Sequence, residues 1–139
     1  MAHVGLLEDN ARIAKMCTTM LHYAGHHVIV YEHARDCLNA LLPSTLPGGS
    51  TSLASSSPLP LDVLILDLHL PDIPGLEVLQ SLRSHPRTQA LPLIFCTAAS
   101  SSEVVKALRI APQASFVEKP FTYHDLVSAI TSALNVRGK

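Results

Sequence analysis

Residues 61–75 read LDVLILDLHLPDIPG, and the interpretation of the whole chain starts from them. From Leu61 to Leu66 the residues are apolar almost without alternation, which is typical of a strand buried on both faces of a parallel sheet. The run stops at Asp67, and the proline and glycine residues of the following PDIPG indicate a turn. An acidic residue directly after a buried strand is the first candidate functional residue.

Apolar runs of strand length alternate with helical apolar spacing along the rest of the chain. We predict strands at His3–Leu7, His27–Tyr31, Leu61–Leu66, Leu91–Cys96 and Ser115–Val117. We predict helices from about Ile13 to Ala24 with Gly25 as the stop, around Leu38–Leu42, and at about Leu76–Ser84, Glu103–Ile110 and Tyr123–Asn135. Five strand and helix pairs predict an α/β fold, in which a parallel sheet has helices on both faces and binds ligands beyond the carboxyl ends of its strands.

One segment interrupts this alternation. The 18 residues from Pro43 to Pro60 include six serines, four prolines, two glycines and two threonines, and none is charged. This composition is typical of a flexible linker. Because it joins the second helix to the third strand, we expect it to leave the sheet at the edge opposite the strands' carboxyl ends. We therefore expect residues 1–139 to form a single domain with an insertion at about 43–60.

Composition excludes several classes of protein. Apolar residues make up 47% of the 139 residues, charged residues 15%, and the net charge is −1, which favours one globular domain and argues against direct nucleic-acid binding. Charge or proline interrupts every apolar run, and the N-terminus lacks the regions of a signal peptide, so we expect no membrane insertion and a cytoplasmic location. Cys17, Cys37 and Cys96 lack CxxC spacing and are expected to be buried, reduced thiols.

Polar residues of types that can bind ligands or take part in a reaction follow four of the predicted strands. Glu8 and Asp9 come after the first strand, Asp67 after the third, Thr97 after the fourth and Lys119 after the fifth. Since parallel strands present their carboxyl ends at one edge of the sheet, these residues are predicted to converge.

The strings that carry these residues are LLEDN (6–10), LILDLHLPDIPGLE (64–77), FCTA (95–98) and FVEKPF (116–121). In this order they resemble the successive motifs of response-regulator receiver domains, and the resemblance covers nearly the whole chain. It implies a doubly wound (βα)5 flavodoxin-like fold with a five-stranded parallel sheet in the strand order 2-1-3-4-5. It also implies a phosphoacceptor in a two-component or phosphorelay system.

Three converging carboxylates repel one another, and the usual remedies are a raised pKa or a hard divalent cation that accepts oxygen ligands. By the resemblance, Asp9 and Asp67 ligate Mg²⁺ directly, the backbone carbonyl of His69 supplies a third oxygen, and Glu8 acts mainly through water; Mn²⁺ can substitute. The alternative is that Glu8, Asp9 and Asn10 only cap the first helix.

The resemblance makes Asp67 the phosphoacceptor. Lys119 is then expected to pair with Asp67 before phosphorylation and with a phosphoryl oxygen afterwards, while the Thr97 hydroxyl donates to the phosphoryl group. Ala98 is small, as in the family, and leaves room for the phosphodonor. An ordinary turn acid, a solvated lysine and a capping threonine are the alternatives.

Phe116 occupies the family's aromatic switch position, where the ring rotates as Thr97 moves; a plain core phenylalanine would look the same in sequence. Pro120 resembles the family's cis proline, which would aim Lys119 into the site. Pro112 and Gln113 depart from the family's Gly-Ala, so the fourth helix is expected to end by another route.

His69 could influence the lifetime of the phosphoaspartate through its side chain, but we favour the simpler interpretation, in which the ring is solvated, has no partner and only its carbonyl matters. The other seven histidines show no metal-ligand spacing.

The expected function is a signalling phosphoacceptor, not an enzyme, that assists its own phosphorylation and dephosphorylation. Its expected partners are a sensor histidine kinase or histidine phosphotransfer protein and a downstream protein. One alternative is a phosphate-independent receiver-like interaction module. Another is an aspartyl-phosphate hydrolase of the haloacid dehalogenase type, which would need DxD where Asp67, Leu68 and His69 stand.

Overall fold

Strands and helices alternate along the chain in the computed structural model, which describes residues 2–42, 59–70, 72–98, 101–119 and 121–137 and, for Thr97, Ser101, Val136 and Arg137, the backbone alone. Within this part of the chain the elements are β1 (His3–Leu7), α1 (Ala11–Tyr23), β2 (His27–Tyr31), α2 (Ala34–Leu41), β3 (Val63–Leu66), α3 (Gly75–Ser84), β4 (Leu93–Thr97), α4 (Ser101–Ile110), β5 (Ser115–Glu118) and α5 (Tyr123–Arg137).

The strands form one parallel sheet in the order β2-β1-β3-β4-β5, which confirms the predicted fold class and strand order. The bounds of β1 and β2 are those predicted. β3 and β4 each begin two residues later than predicted, at Val63 and Leu93. The reason is that the pairing of β3 with β1 begins at Val63, and the pairing of β4 with β3 begins at Leu93. Residues 43–58 of the predicted insertion lie outside the described part of the chain.

Each face of the sheet has its own hydrophobic core. On one face, side chains of β3 such as Leu64 and Leu66 pack with residues of α2, α3 and α4. On the other face, Val63 and Ile65 pack with residues of α1 and α5. Because β3 contributes to both cores, it is a strand buried on both faces, as its unbroken apolar sequence predicts.

Two helix ends show how the local sequence positions these elements. Gly25 follows α1 with φ of +93°, a left-handed conformation that glycine adopts without steric cost, so the predicted stop is confirmed. After α4, the Ala111 amide donates to the Ala107 carbonyl and the Ala114 amide donates to the Ala111 carbonyl, so that Pro112 and Gln113 lie in a turn. This helix therefore ends without a left-handed residue, by a route that proline allows.

Cys17 on α1, Cys37 on α2 and Cys96 on β4 are free and buried, as expected. Among the described residues, no helix combines the length and apolar character that a membrane span requires.

Candidate functional site

The carboxyl ends of the central strands hold two buried acidic residues in place through the backbone. The Glu8 amide donates to the Tyr31 carbonyl of β2 at 3.1 Å, and the Asp67 amide donates to the Leu7 carbonyl of β1 at 3.3 Å. These bonds continue the sheet ladder past the ends of β1 and β3. The side chains of Glu8 and Asp67 consequently start from fixed positions at one edge of the sheet.

Three carboxylates meet at this edge, which we call the acidic pocket (Glu8, Asp9 and Asp67). One oxygen from each lies within 4.8 Å of the other two. Glu8 and Asp67 are only 4% and 7% exposed, whereas Asp9 is exposed. Burial raises the pKa of Glu8, opposed by its hydrogen bonds to Lys119 and Asn10. The pocket therefore concentrates negative charge where water screens it poorly.

Lys119 supplies positive charge to the pocket. Its Nζ donates to Glu8 Oε1 at 2.7 Å and to Asp67 Oδ2 at 2.9 Å, and its side chain is 16% exposed. Burial alone would lower the pKa of Lys119, but the hydrogen bonds to the two carboxylates raise it above its usual range. The expected contact between Lys119 and Asp67 is present, and Lys119 contacts Glu8 as well.

The turn after β3 holds the other oxygen of Asp67. The His69 amide donates to Asp67 Oδ1 at 2.9 Å. The turn is closed by the Gly75 amide, which donates to the Leu68 carbonyl at 3.1 Å. A side chain at Gly75 would overlap the Leu68 backbone, so glycine is required for this close approach. Both carboxylate oxygens of Asp67 are thereby oriented.

Of the three residues that the helix-cap alternative named, Asn10 caps the helix. Asn10 Oδ1 accepts the amides of Arg12 and Ile13 at the start of α1. Glu8 Oε2 accepts the Asn10 amide at 3.2 Å, while its other oxygen contacts Lys119. One short segment therefore begins the helix and contributes a carboxylate to the pocket.

The expectation that the His69 ring has no partner is wrong, although the ring is exposed to solvent as expected. His69 Nε2 lies 2.8 Å from Glu103 Oε2 of α4, with the side chains 55% and 36% exposed. The sequence placed Glu103 at the start of a helix but gave no sign that it contacts His69. The pair is 34 residues apart in sequence, and nothing in the local pattern of either segment indicates that α4 faces the turn after β3.

The remaining predicted residues are placed as follows. Thr97 ends β4, but its side chain lies outside what the structure describes, as does Pro120, on which the cis peptide was predicted. Ala98 follows β4 and is exposed. Phe116 lies on β5 with 36% of its surface exposed. The metal-binding, phosphoryl-binding and switch roles stay predictions.

The donor set of the acidic pocket suits a hard cation. Magnesium takes oxygen ligands at about 2.0–2.1 Å, and carboxylate oxygens within 4.8 Å of one another require little movement to reach one ion. No sulfur or imidazole nitrogen belongs to this group of ligands. The residues present therefore fit Mg²⁺.

Five parallel strands in this order, with acidic residues and a lysine at their carboxyl ends, define a doubly wound α/β domain of the flavodoxin-like class. A family model for the response regulator receiver domain matches residues 4–131. The chain belongs to this family and is a receiver domain of a two-component system, with an acidic pocket that fits Mg²⁺ and aspartate phosphorylation.

Curated relatives include the uncharacterised transcriptional regulatory protein YkoG of Bacillus subtilis, 30% identical over 98% of this chain and 52% of its own length. The probable transcriptional regulatory protein TcrX of Mycobacterium tuberculosis is 29% identical over 96% of this chain and 50% of its own length. The chain therefore spans about half the length of the curated relatives that it matches.

Solved structures show the same fold. A putative response regulator from Chloroflexus aurantiacus superposes with a TM-score of 0.78, at 23% identity over 96% of this chain and 98% of the other. The receiver domain of a sensor histidine kinase from Pseudomonas aeruginosa has a TM-score of 0.75, at 18% identity over 96% and 98% of the two chains. That structure carries a magnesium ion coordinated in its active-site cleft.

Proposed function

We propose that Asp67 accepts a phosphoryl group and that the resulting change of charge alters the contacts of this domain with a protein partner. The observation that supports this most is the position of Asp67. It is 7% exposed, its Oδ2 is bound by Lys119, its Oδ1 is bound by the His69 amide, and it shares its pocket with Glu8 and Asp9. An oriented carboxylate with a nearby cation is suited to nucleophilic attack on phosphorus.

In the proposed transfer, an oxygen of Asp67 forms a bond to phosphorus. The bond between phosphorus and a donor histidine nitrogen breaks, and the electron pair stays on that nitrogen. Lys119 moves from Asp67 Oδ2 to a phosphoryl oxygen, because the negative charge that it neutralises has moved outward. Thr97 and Ala98 lie at the end of β4 and are proposed to contact the phosphoryl group.

Asp9, Asp67 and the His69 carbonyl are proposed to hold Mg²⁺, with Glu8 acting mainly through water; Mn²⁺ can substitute. Bound there, the ion would neutralise the charge that builds up on the phosphoryl oxygens. Support comes from the close approach of the three carboxylates and from the magnesium ion in the Pseudomonas aeruginosa receiver domain.

A sensor histidine kinase or a histidine phosphotransfer protein is the proposed phosphodonor in the cytoplasm, and the response is proposed to pass through Thr97 and Phe116 to a downstream protein. The domain is proposed to act as one unit with an insertion at about 43–60. It would assist its own phosphorylation and dephosphorylation and would not turn over external substrates.

Intact-mass measurement after incubation with acetyl phosphate and Mg²⁺ tests the proposal. We expect one phosphoryl group on the wild-type chain and none on Asp67→Asn. Asp36→Asn removes an exposed aspartate on α2 and is the matched control, which should be phosphorylated like wild type. Chelation of Mg²⁺ should abolish the adduct.

Absence of the adduct from wild type, or its presence on Asp67→Asn, would contradict the proposal. The first outcome would favour a phosphate-independent interaction module. Steady release of inorganic phosphate from a panel of phosphomonoesters would favour a hydrolase instead.

A further inference from the structure

Three side chains with metal-binding donors form one row at the amino edge of the sheet, at the end remote from the acidic pocket. His3 and His27 are the first residues of β1 and β2 and are direct neighbours in the ladder. Asp62 precedes β3, and the pairing of Val4 with Val63 sets it beside His3. We call these three residues the histidine row.

Backbone hydrogen bonds fix the register of the row. The Asp62 amide donates to the His3 carbonyl at 2.7 Å, and the His3 amide donates to Asp62 Oδ2 at 2.8 Å. On the other side, the His27 amide donates to the Ala2 carbonyl at 2.9 Å. Because neighbours in register project from the same face of a parallel sheet, the three side chains share one face.

The row belongs to the face that packs against α2, α3 and α4. That core contains the residues that lie four positions after each member of the row along the chain: Leu7, Tyr31 and Leu66. Residues an even number of positions apart on a strand project from the same face. Asp62 and Asp67 are five residues apart, or roughly 16 Å along an extended chain at about 3.3 Å per residue. The row is therefore well separated from the acidic pocket.

Two of the three donor groups, His3 and Asp62, already approach each other. His3 Nδ1 lies 3.7 Å from Asp62 Oδ2, close to the roughly 3.4 Å that separates two ligand atoms on one tetrahedral zinc ion. The His3 and His27 rings are stacked, with centroids 5.2 Å apart and planes at 20°. The His3 and Asp62 side chains are 60% and 40% exposed, and His27 is exposed as well, so an ion can reach all three.

We infer that His3, His27 and Asp62 form a second cation site, selective for a borderline divalent transition metal such as Zn²⁺. In the structure the His27 ring is stacked on His3, so the exposed His27 ring must rotate to bring a nitrogen to an ion held between His3 Nδ1 and Asp62 Oδ2, and water completes the coordination. Imidazole suits zinc, copper and nickel, whereas carboxylate and carbonyl oxygens suit magnesium. The two sites therefore differ in the metals that they select.

The spacing of the histidines along the chain could not have revealed this site. The ligands come from three separate segments, and His3 is 24 residues from His27 and 59 residues from Asp62. The parallel ladder alone brings them together.

Titration of the tag-free chain with Zn²⁺, in the presence of excess Mg²⁺ to occupy the acidic pocket, tests the inference by calorimetry. We expect one zinc ion per chain. His3→Gln and His27→Gln should each weaken binding at least tenfold, because each removes one of three protein ligands. His124→Gln changes an exposed histidine on α5 and is the matched control, which should bind zinc like wild type.

NMR spectra of the backbone amides, recorded with Co²⁺ in place of Zn²⁺, locate the ion. Paramagnetic broadening should centre on His3, His27 and Asp62. Broadening centred on Glu8, Asp9 and Asp67 would overturn the inference, as would zinc binding that is absent from wild type or equal in wild type and His27→Gln. Thermal unfolding of each variant without metal verifies that the substitutions leave the fold intact.

Discussion

At the scale of single residues, the charge balance of the acidic pocket depends on Lys119. Its ammonium group contacts both buried carboxylates, so the pocket is oriented before any cation or phosphoryl group binds. The sequence was sufficient to predict that Glu8, Asp67 and Lys119 converge, because all three follow strands whose carboxyl ends share an edge. It was not sufficient to predict the contact of His69 with Glu103, because that contact depends on how α4 lies against the turn after β3.

Replacement of Lys119 by methionine is expected to lower the free energy of unfolding by about 3 kcal/mol at neutral pH without Mg²⁺, because it leaves two buried carboxylates without a counter-charge. Added Mg²⁺ should recover more stability in this variant than in wild type. Urea unfolding with and without Mg²⁺ measures both effects. Lys106→Met, on the exposed surface of α4, is the control and should behave like wild type; equal stability of Lys119→Met and wild type would contradict the prediction.

At the scale of elements, α2 is stabilised by a residue far away in sequence. His33 at its N-terminus makes no side-chain capping bond, and Asp72 from the turn after β3 accepts the Ala34 and Arg35 amides at 3.2 and 3.1 Å. Apolar spacing predicted this helix around Leu38–Leu42 and missed its first turn. The capping residue, Asp72, lies 38 residues after Ala34, and in the sequence it belongs to what is predicted as an ordinary PDIPG turn.

Asp72→Ala is expected to destabilise the domain by about 1 kcal/mol at neutral pH, the usual cost of losing a helix cap. Desolvation acts to raise the pKa of Asp72, but hydrogen bonds from backbone amides, among them those of Arg35 and Ala34, together outweigh it and lower the pKa. A lowered pKa means that the ionised cap contributes stability above the ordinary aspartate pKa and loses it as pH falls through the folded-state value.

The difference between wild type and Asp72→Ala should therefore shrink in acid, which unfolding curves recorded from neutral pH down to below pH 4 will measure. Asp72→Asn is the matched variant, since it keeps one acceptor oxygen but cannot titrate. It should fall between the two in stability at neutral pH. A difference that grows as the pH falls would contradict the assignment of Asp72 as an ionised cap.

At the scale of the whole molecule, the alternation of strands and helices was enough to predict a parallel sheet covered on both faces, and the receiver resemblance supplied its strand order. The precise starts of β3 and β4 were not predictable, because the limits of a strand depend on where its neighbour offers hydrogen-bond partners. The topology also separates two regions. α2 ends and β3 begins at the amino edge of the sheet, whereas Asp67 and Lys119 lie beyond the carboxyl edge.

Replacement of residues 44–57 by a Gly-Ser linker of half that length is expected to leave the initial rate of Asp67 phosphorylation unchanged, because α2 ends and β3 begins at the amino edge of the sheet, remote from the acidic pocket. Stability should rise by roughly 0.6 kcal/mol, because halving the length of a connecting segment lowers the entropic cost of closing it by about that amount. Phosphorylation kinetics and urea unfolding provide the measurements. Insertion of the same linker after Leu70, on the side of the pocket, is the control and should abolish phosphorylation; loss of phosphorylation in the first variant would contradict the separation of the two edges.

The three buried cysteines can serve as probes of local opening in this domain. Burial raises the pKa of Cys17 to about 11 and those of Cys37 and Cys96 to about 12, so almost no reactive thiolate exists in the closed protein. Each thiol is therefore alkylated only when the helix or strand that carries it opens locally. Cys37 belongs to the core under α2, and Cys17 and Cys96 belong to the core under α1 and α5. Because the chain contains no tryptophan, labelling rates at these cysteines offer a way to measure local opening on the two faces of the sheet separately.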